Sequence, residues 1–296
     1  MSIQLEKPSL QDRKREVLQP PRFDAGRNAR AKIGFVLLPN DQLVEEDMVR
    51  MAPPGVGVYF SRARMPHEIS TGSLAQLTQS IAETAANILL EIEAVHIRPE
   101  DPFTFTSGRL SPVYVDCRKI ISFPRARKKL MEMGIELLAQ KAGFEQFDAV
   151  AGGETAGIPF AAWIADLLGL PMLYIRKKPK GFGRNARIEG SFEDGARILL
   201  VEDLATDGGS KLSFIDAIRE AGGEVAHCFV VFHYGNFPES TASMKEKGVD
   251  LHGLCTWWDV LAAAEKRGYT AAQLAEVRQF LRDPDGWAAS RETIET

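Results

Sequence analysis

No apolar run in the sequence approaches transmembrane length, and the opening residues, MSIQLEKPSLQDRKREV, lack the hydrophobic core of a secretory leader. A membrane role is therefore not expected, and the cytoplasm is the default location. Cysteine is scarce. Cys117, Cys228 and Cys255 are odd in number, widely spaced and form no CxxC pair, which argues against a disulfide framework or a zinc site and favours a reducing compartment. The five histidines, His67, His96, His227, His233 and His252, show no metal-ligand spacing. Neither sign of charge dominates: a net charge of −4 gives no basic footprint for nucleic acid. What remains is an ordinary globular composition, 296 residues long with 45% hydrophobic, enough for one large domain or two smaller ones.

The most informative stretch is ILLVEDLATDGGSKLSFIDAIREAG, residues 198 to 222. Ile198-Leu199-Leu200-Val201 has the uncharged, branched character of a buried parallel strand. Two carboxylates, Glu202 and Asp203, follow at once, then a small-residue turn, Thr206-Asp207-Gly208-Gly209-Ser210. Leu212, Ile215 and Ile218 then fall at helical spacing. Carboxylates at the carboxyl end of such a strand sit where open α/β sheets bind ligands, and they can hold ribose hydroxyls or a hydrated Mg²⁺. The paired glycines let backbone N–H groups curl around an anion, and the helix N-terminus adds its positive dipole end. A solvated acidic turn is the bland alternative, but order and spacing agree with the phosphate-binding reading.

This stretch resembles the phosphoribosyl-pyrophosphate (PRPP) motif of type I phosphoribosyltransferases: a hydrophobic strand, two acids, then a Thr/Gly-rich phosphate loop. It lacks the Gly-Lys-Ser/Thr of a P-loop. The resemblance implies a Rossmann-like parallel sheet with helices on both faces and an N-terminal hood. It also implies a PRPP site of Thr206, Asp207, Gly208, Gly209 and Ser210 for the 5′-phosphate, with Glu202 and Asp203 as catalytic carboxylates near the ribose.

Upstream, LLEIEAVHIRPEDPFTFTSGRLSPVYVDCRKIISFPRAR looks like the hood of the orotate phosphoribosyltransferase family, and the resemblance runs from about 77 to 288. By position it assigns Ser107, Gly108, Tyr114 and Val115, together with Thr206, to the pyrimidine. Thr106 stands where the family often has a lysine, so one PRPP contact is expected to be missing. FDAVAGGETAGIPFAAWIADLLGL reads as strand, loop and helix, and the resemblance sets Gly153, Glu154, Thr155 and Ala156 against the pyrophosphate; many relatives have a lysine at Ala156. MLYIRKKPKGFGRNARIEGSF crowds cations between glycines, which suits a lid over a highly charged substrate as well as a solvated face. It resembles the family's catalytic loop, implying roles for Arg176, Lys177 and above all Lys180, acting across a homodimer interface. Phe182 replaces a histidine common there. Some relatives have an orotate-binding arginine near Tyr234; none is present here, so His233 or a loop amide is expected to serve.

Residues 1–30, broken by Pro8, Pro20 and Pro21, read as a flexible arm. Residues 31–75 read as a short βαβ extension: KIGFVLL and VGVYFSRAR as strands, LVEEDMVRMA as a helix and Pro53-Pro54-Gly55 as a turn. "RMAPPGVGVYFSRAR" resembles the opening of the maleate isomerase and arylmalonate decarboxylase superfamily. That resemblance stops near residue 90, before any cysteine of the kind those enzymes use, which implies a truncated remnant with a packing or association role. Residues 76–296 are expected to form the phosphoribosyltransferase domain.

The implied reaction transfers the phosphoribosyl group from PRPP to orotate, with Mg²⁺ held through PRPP and water rather than by direct protein ligands. Two rivals stand beside it: a phosphoribosyltransferase for another base, against which the 102–116 hairpin argues, and a non-catalytic PRPP-sensing regulator, which would be expected to carry a nucleic-acid-binding module not seen in residues 1–75.

Overall fold

The computed structural model describes residues 31–37, 50–52, 56–62, 71–105, 108–180, 187–206 and 209–292. The expected arm (1–30), the Pro53-Pro54-Gly55 turn and most of the helix expected before it lie outside the described residues. So do Thr106, Ser107, Phe182, Asp207 and Gly208. The chain divides into two units, Met1–Arg64 and Met65–Thr296.

In the first unit, β1 (Ala31–Leu37) and β2 (Val56–Arg62) pair in parallel, from Ala31 opposite Val56 to Leu37 opposite Arg62. Parallel pairing requires a crossover rather than a tight hairpin. The boundary expected at 75/76 falls inside helix α1 (Thr71–Glu91), which belongs to the second unit.

The second unit opens with α1 and a hood of short strands. β3 (Val95–Ile97) pairs antiparallel with β6 (Val113–Val115), and β4 (Phe103–Thr104) with β5 (Leu110–Ser111). The β4–β5 turn is closed by the Phe105 N–H donating to the Arg109 carbonyl at 2.9 Å, and it carries Gly108 at φ +87°, a conformation that favours glycine. A 3₁₀ turn, Cys117–Ser122, leads to α2 (Pro124–Lys141), which has proline at its first position.

The main sheet then forms from β7 (Ala149–Gly153), β8 (Met172–Ile175), β9 (Ile188–Glu189), β10 (Ile198–Ala205), β11 (His227–His233) and β12 (Asp250–Thr256). Their spatial order is β12-β11-β10-β7-β8-β9, all neighbours parallel except β8 with β9. The connecting helices are α3 (Gly157–Leu168), α4 (Gly209–Glu220) and α5 (Pro238–Glu246). Three more, α6 (Trp257–Ala264), α7 (Ala271–Arg282) and α8 (Pro284–Glu292), close the chain. Capping boxes at Thr256/Asp259 and Thr270/Gln273 start α6 and α7.

Period-two alternation divides β10 between two cores. Leu199 and Val201 pack with α1, α2, α3, α6 and α7, whereas Ile198 and Leu200 pack with α4. Outward growth on both sides of β7 and β10 makes their shared edge the switch point of the sheet, where open α/β folds leave a crevice at the strand carboxyl ends.

Packing is tight where α2 crosses β11. A Cβ at Gly134 would lie 2.6 Å from Cζ of Phe229, whose ring is fully buried and cannot swing away. Alanine in place of glycine favours a helix by about 0.5–1 kcal/mol, while overpacking a closed core costs about 1–3 kcal/mol, so the second effect wins. Gly134→Ala is expected to lower stability by about 1–2 kcal/mol, read as a shift in the urea midpoint; an unchanged or higher midpoint would refute this packing account.

Candidate active site

The switch point brings three segments together. β7 delivers Gly152 and Gly153, the turn Glu154–Ala156 follows, and α3 begins at Gly157. A Cβ at Gly152 would lie 2.7 Å from the Gly157 carbonyl oxygen, so this turn closes only around glycine. The peptide between Glu154 and Thr155 is cis. β10 delivers Glu202 and Asp203, and α4 starts at Gly209 with Gly209 and Ser210 exposed at its N-terminus.

Strand alternation sends the two carboxylates, both expected near the ribose, to different neighbours. Glu202, 6% exposed, turns toward α4: a Cβ on Gly153 or Gly157 would overlap its carboxylate, and Phe214 of α4 stands against the same spot. Its Oε1 has no hydrogen-bond partner among the described residues. Asp203, 7% exposed, turns toward the hood, where Nε of Arg118 lies 4.0 Å from its Oδ2.

Burial dominates the electrostatics. It pushes Glu202 up to about 8, against the pull of the Lys211 ammonium; Asp203 adds to the rise, and the Gly153 N–H and Lys177 oppose it. Burial raises Asp203 too, opposed by the Leu204 N–H, Lys211 and Arg118. Lys211 is itself only 4% exposed, on the first turn of α4. It was not anticipated, although residues 211, 214, 215 and 218 follow the i, i+3, i+4, i+7 pattern of a buried stripe, with a lysine in its first place. Arg118 was also missed, and nothing in DCRKI distinguishes it from an ordinary surface arginine.

The basic loop rises from the edge of the sheet. The Arg176 N–H donates to the Arg187 carbonyl at 2.8 Å, closing the base of a hairpin that begins with β8 and β9. The Arg176 guanidinium pairs with Glu189 at 2.9 Å, so it braces this base. Arg187 donates to the Arg176 carbonyl and to Ser213 of α4, fastening the hairpin to that helix. The Lys177 N–H donates to the Glu154 carboxylate at 2.7 Å, tying the hairpin to the β7–α3 turn. The side chains of Lys177, Lys178 and Lys180 are exposed.

On the hood, Tyr114 points outward between inward Val113 and Val115. Its ring lies 5.4 Å from Phe103 and stacks at 6.2 Å on His96. Val115 is wholly buried, so its side chain belongs to the core and it has only backbone groups to offer a ligand. Thr206 is half-buried at the end of β10. His233, expected as one substitute for the absent arginine, faces Ser240 at 3.1 Å; burial, with Lys211, lowers its pKa, which makes it a poor cation.

A sequence profile of the phosphoribosyl transferase domain matches residues 126–251. The orotate phosphoribosyltransferase of Cereibacter sphaeroides is 61% identical over 214 residues, covering 72% of this chain and 92% of that protein. The enzyme of the same name from Roseobacter denitrificans is 57% identical over 210 residues, covering 71% and 93%. Among solved structures, the orotate phosphoribosyltransferase of Aeropyrum pernix superposes with a TM-score of 0.54 at 30% identity, covering 63% of this chain and 99% of that one.

The buried carboxylate gives a pH signature. Ionising Glu202 costs free energy in the folded chain that has no counterpart in the unfolded chain. Compared with Glu202→Gln, the wild type is therefore expected to lose stability as pH rises from about 4.5 through about 8, by several kcal/mol in order of magnitude, and to level off beyond. Urea unfolding of both proteins at pH 5, 7 and 9 measures it. A stability difference that ignores pH would mean that Glu202 does not titrate in this window.

Proposed function

Because the chain belongs to the orotate phosphoribosyltransferases, which places it in pyrimidine biosynthesis transferring the 5-phosphoribosyl group of PRPP to orotate to give orotidine 5′-phosphate and pyrophosphate, we propose that the chemistry takes place in the crevice between β7 and β10. The observation that carries this location is the convergence of two main-chain anion sites on one acidic pair at the switch point.

The 5′-phosphate binds at the N-terminus of α4, to Gly209 and Ser210 together with Thr206, Asp207 and Gly208. Backbone N–H groups and the helix dipole meet its charge there. The pyrophosphate lies along Gly153, Glu154, Thr155 and Ala156, where the N-terminus of α3 plays the same part. Asp203 holds the ribose hydroxyls on the hood side and offsets positive charge as the C1 centre becomes oxocarbenium-like. Glu202 acts from the other face. Wedged against Gly153 and Gly157, it fixes the pyrophosphate turn relative to α4. Orotate lies against Tyr114, with backbone groups near Val115 and Thr206 framing its ring, and attacks C1 through a ring nitrogen. The protein contributes positioning and charge compensation rather than a nucleophile.

The donor set fits Mg²⁺ held mainly by phosphate oxygens and water. Asp203 and Asp116 are carboxylates near Tyr114 on the hood side, and among the described residues no three acidic, histidine or cysteine side chains converge on a point. Bound in that way, the ion would supply charge neutralisation to the leaving pyrophosphate. Lys180, with Lys177 and the braced Arg176, closes over the site and keeps water from PRPP. We place the enzyme in the cytoplasm as a homodimer in which each lid serves the neighbouring subunit. Support for the dimer is the likeness of the basic loop to one that works across a two-fold interface. Among the described residues no helix is long and apolar enough to cross a membrane. Residues 31–75 contribute packing or association.

Orotate consumption, followed by its ultraviolet absorbance with PRPP and Mg²⁺ present and each omitted in turn, tests the reaction. Lys180→Ala is expected to lower kcat by about 10²- to 10³-fold, as for loss of one transition-state charge contact, with the dissociation constant for PRPP changed less than about three-fold. Turnover within two-fold of wild type would remove Lys180 from the mechanism.

A further inference from the structure

Orotate differs from uracil by a carboxylate, and the crevice that receives it already contains Asp203. An anion brought beside that carboxylate needs a cation facing the same space. Five cations near the strand ends are placed for other work. Lys211 is buried on the α4 face, Arg176 is paired with Glu189, and Arg187 is bonded to Ser213. Lys177 and Lys180 belong to the basic hairpin at the opposite edge of the crevice.

Among the described residues, Arg118 is the cation on the hood side that faces Asp203. It stands on the 3₁₀ turn that follows β6, anchored below by fully buried Cys117 and Ile120. Its side chain is 72% exposed and approaches Asp203 through Nε, at 4.0 Å. The terminal nitrogens of the guanidinium make no hydrogen bond among the described residues. Tyr114, four residues earlier, is 40% exposed and lies within electrostatic reach of both Arg118 and Asp203. A flat exposed ring, a carboxylate and an open guanidinium fork thus share the hood side of the crevice.

Resting on the functional reading above, we propose that Arg118 is the specificity-determining residue for the carboxylate of orotate, which it grips with its terminal nitrogens while the pyrimidine lies against Tyr114. Guanidinium and carboxylate match as a two-point fork, which fixes the ring's orientation as well as its charge. Nε, left facing Asp203, keeps the ligand's carboxylate from meeting that residue uncompensated. The role expected of an arginine near Tyr234 is thereby filled from the hood segment that follows β6.

Arg118→Ala separates this from a general role. Removing a charge-assisted contact is expected to lower kcat/KM for orotate by about 10- to 100-fold. The inhibition constant of uracil, which has no carboxylate, and the KM for PRPP should each stay within about two-fold. Arg118→Lys is expected to recover part of the loss, since it restores the charge without the fork. The exposed position predicts an unchanged melting temperature, so folding does not confuse the result. An equal loss for uracil and orotate, a parallel rise in the KM for PRPP, or no change at all would overturn the assignment. If the wild-type protein consumed no orotate, the functional reading itself would fail, and that outcome is distinct from each of these.

Discussion

The architecture depends on one buried carboxylate. Glu202 sits where β7, β10 and α4 meet, and its oxygens occupy the space that side chains at 153 and 157 would fill. Glycine is required at both positions for that reason, and the turn between them is held in place by the same crowding. Lys211 supplies the opposing charge from α4. Burial lifts Glu202 to about 8, so the carboxyl is mostly protonated at neutral pH and this attraction adds little net stability. What it fixes is distance. The turn on one side and the helix N-terminus on the other are the two places suited to phosphates, and Glu202 sets their separation.

The neighbouring residue shows how much one step along a strand matters. Asp203 differs from Glu202 by one position and therefore faces the hood, Tyr114 and Arg118 rather than α4. Two adjacent acids thus have different neighbours, one wedged against the β7–α3 turn and the other beside the hood. A one-residue insertion in β10 ahead of the acids would turn each carboxylate to the other face and put Asp203 where Leu204 now lies.

Local pattern carried much of the sequence reading. The apolar run of β10, the Gly209-Ser210 start of α4, the glycine turn after β7 and the antiparallel base of the basic hairpin all lie within short windows, and each is found where its pattern indicates. The missing parts are those that depend on distant neighbours. Glu154 meets Lys177 across 23 residues, and Arg187 meets Ser213 across 26. Arg118 reaches Asp203 only because the hood folds over β10. No periodicity within any one segment encodes such contacts. Lys211 is a different case: its place on the inward stripe of α4 was legible, but hydrophobic counting passes over a lysine even when its position is buried.

The lid follows from the same charge logic. Its base is braced: Arg176 is satisfied by Glu189, and Arg187 is bonded to α4. Beyond the base, the exposed ammonium groups of Lys177, Lys178 and Lys180 form no ion pair within 4.0 Å among the described residues. A loop with its own acidic partners would gain little by closing, because each new contact would replace an old one. Here the base is occupied in structure while Lys177, Lys178 and Lys180 stay exposed, which suits the proposed closure over the phosphates of the substrate. That arrangement also makes closure sensitive to salt, since exposed cations are screened within about 8 Å at physiological ionic strength. Glu202 and Lys211, both buried, are shielded from that screening. The crevice is therefore expected to keep its shape at salt concentrations that would weaken the proposed closure.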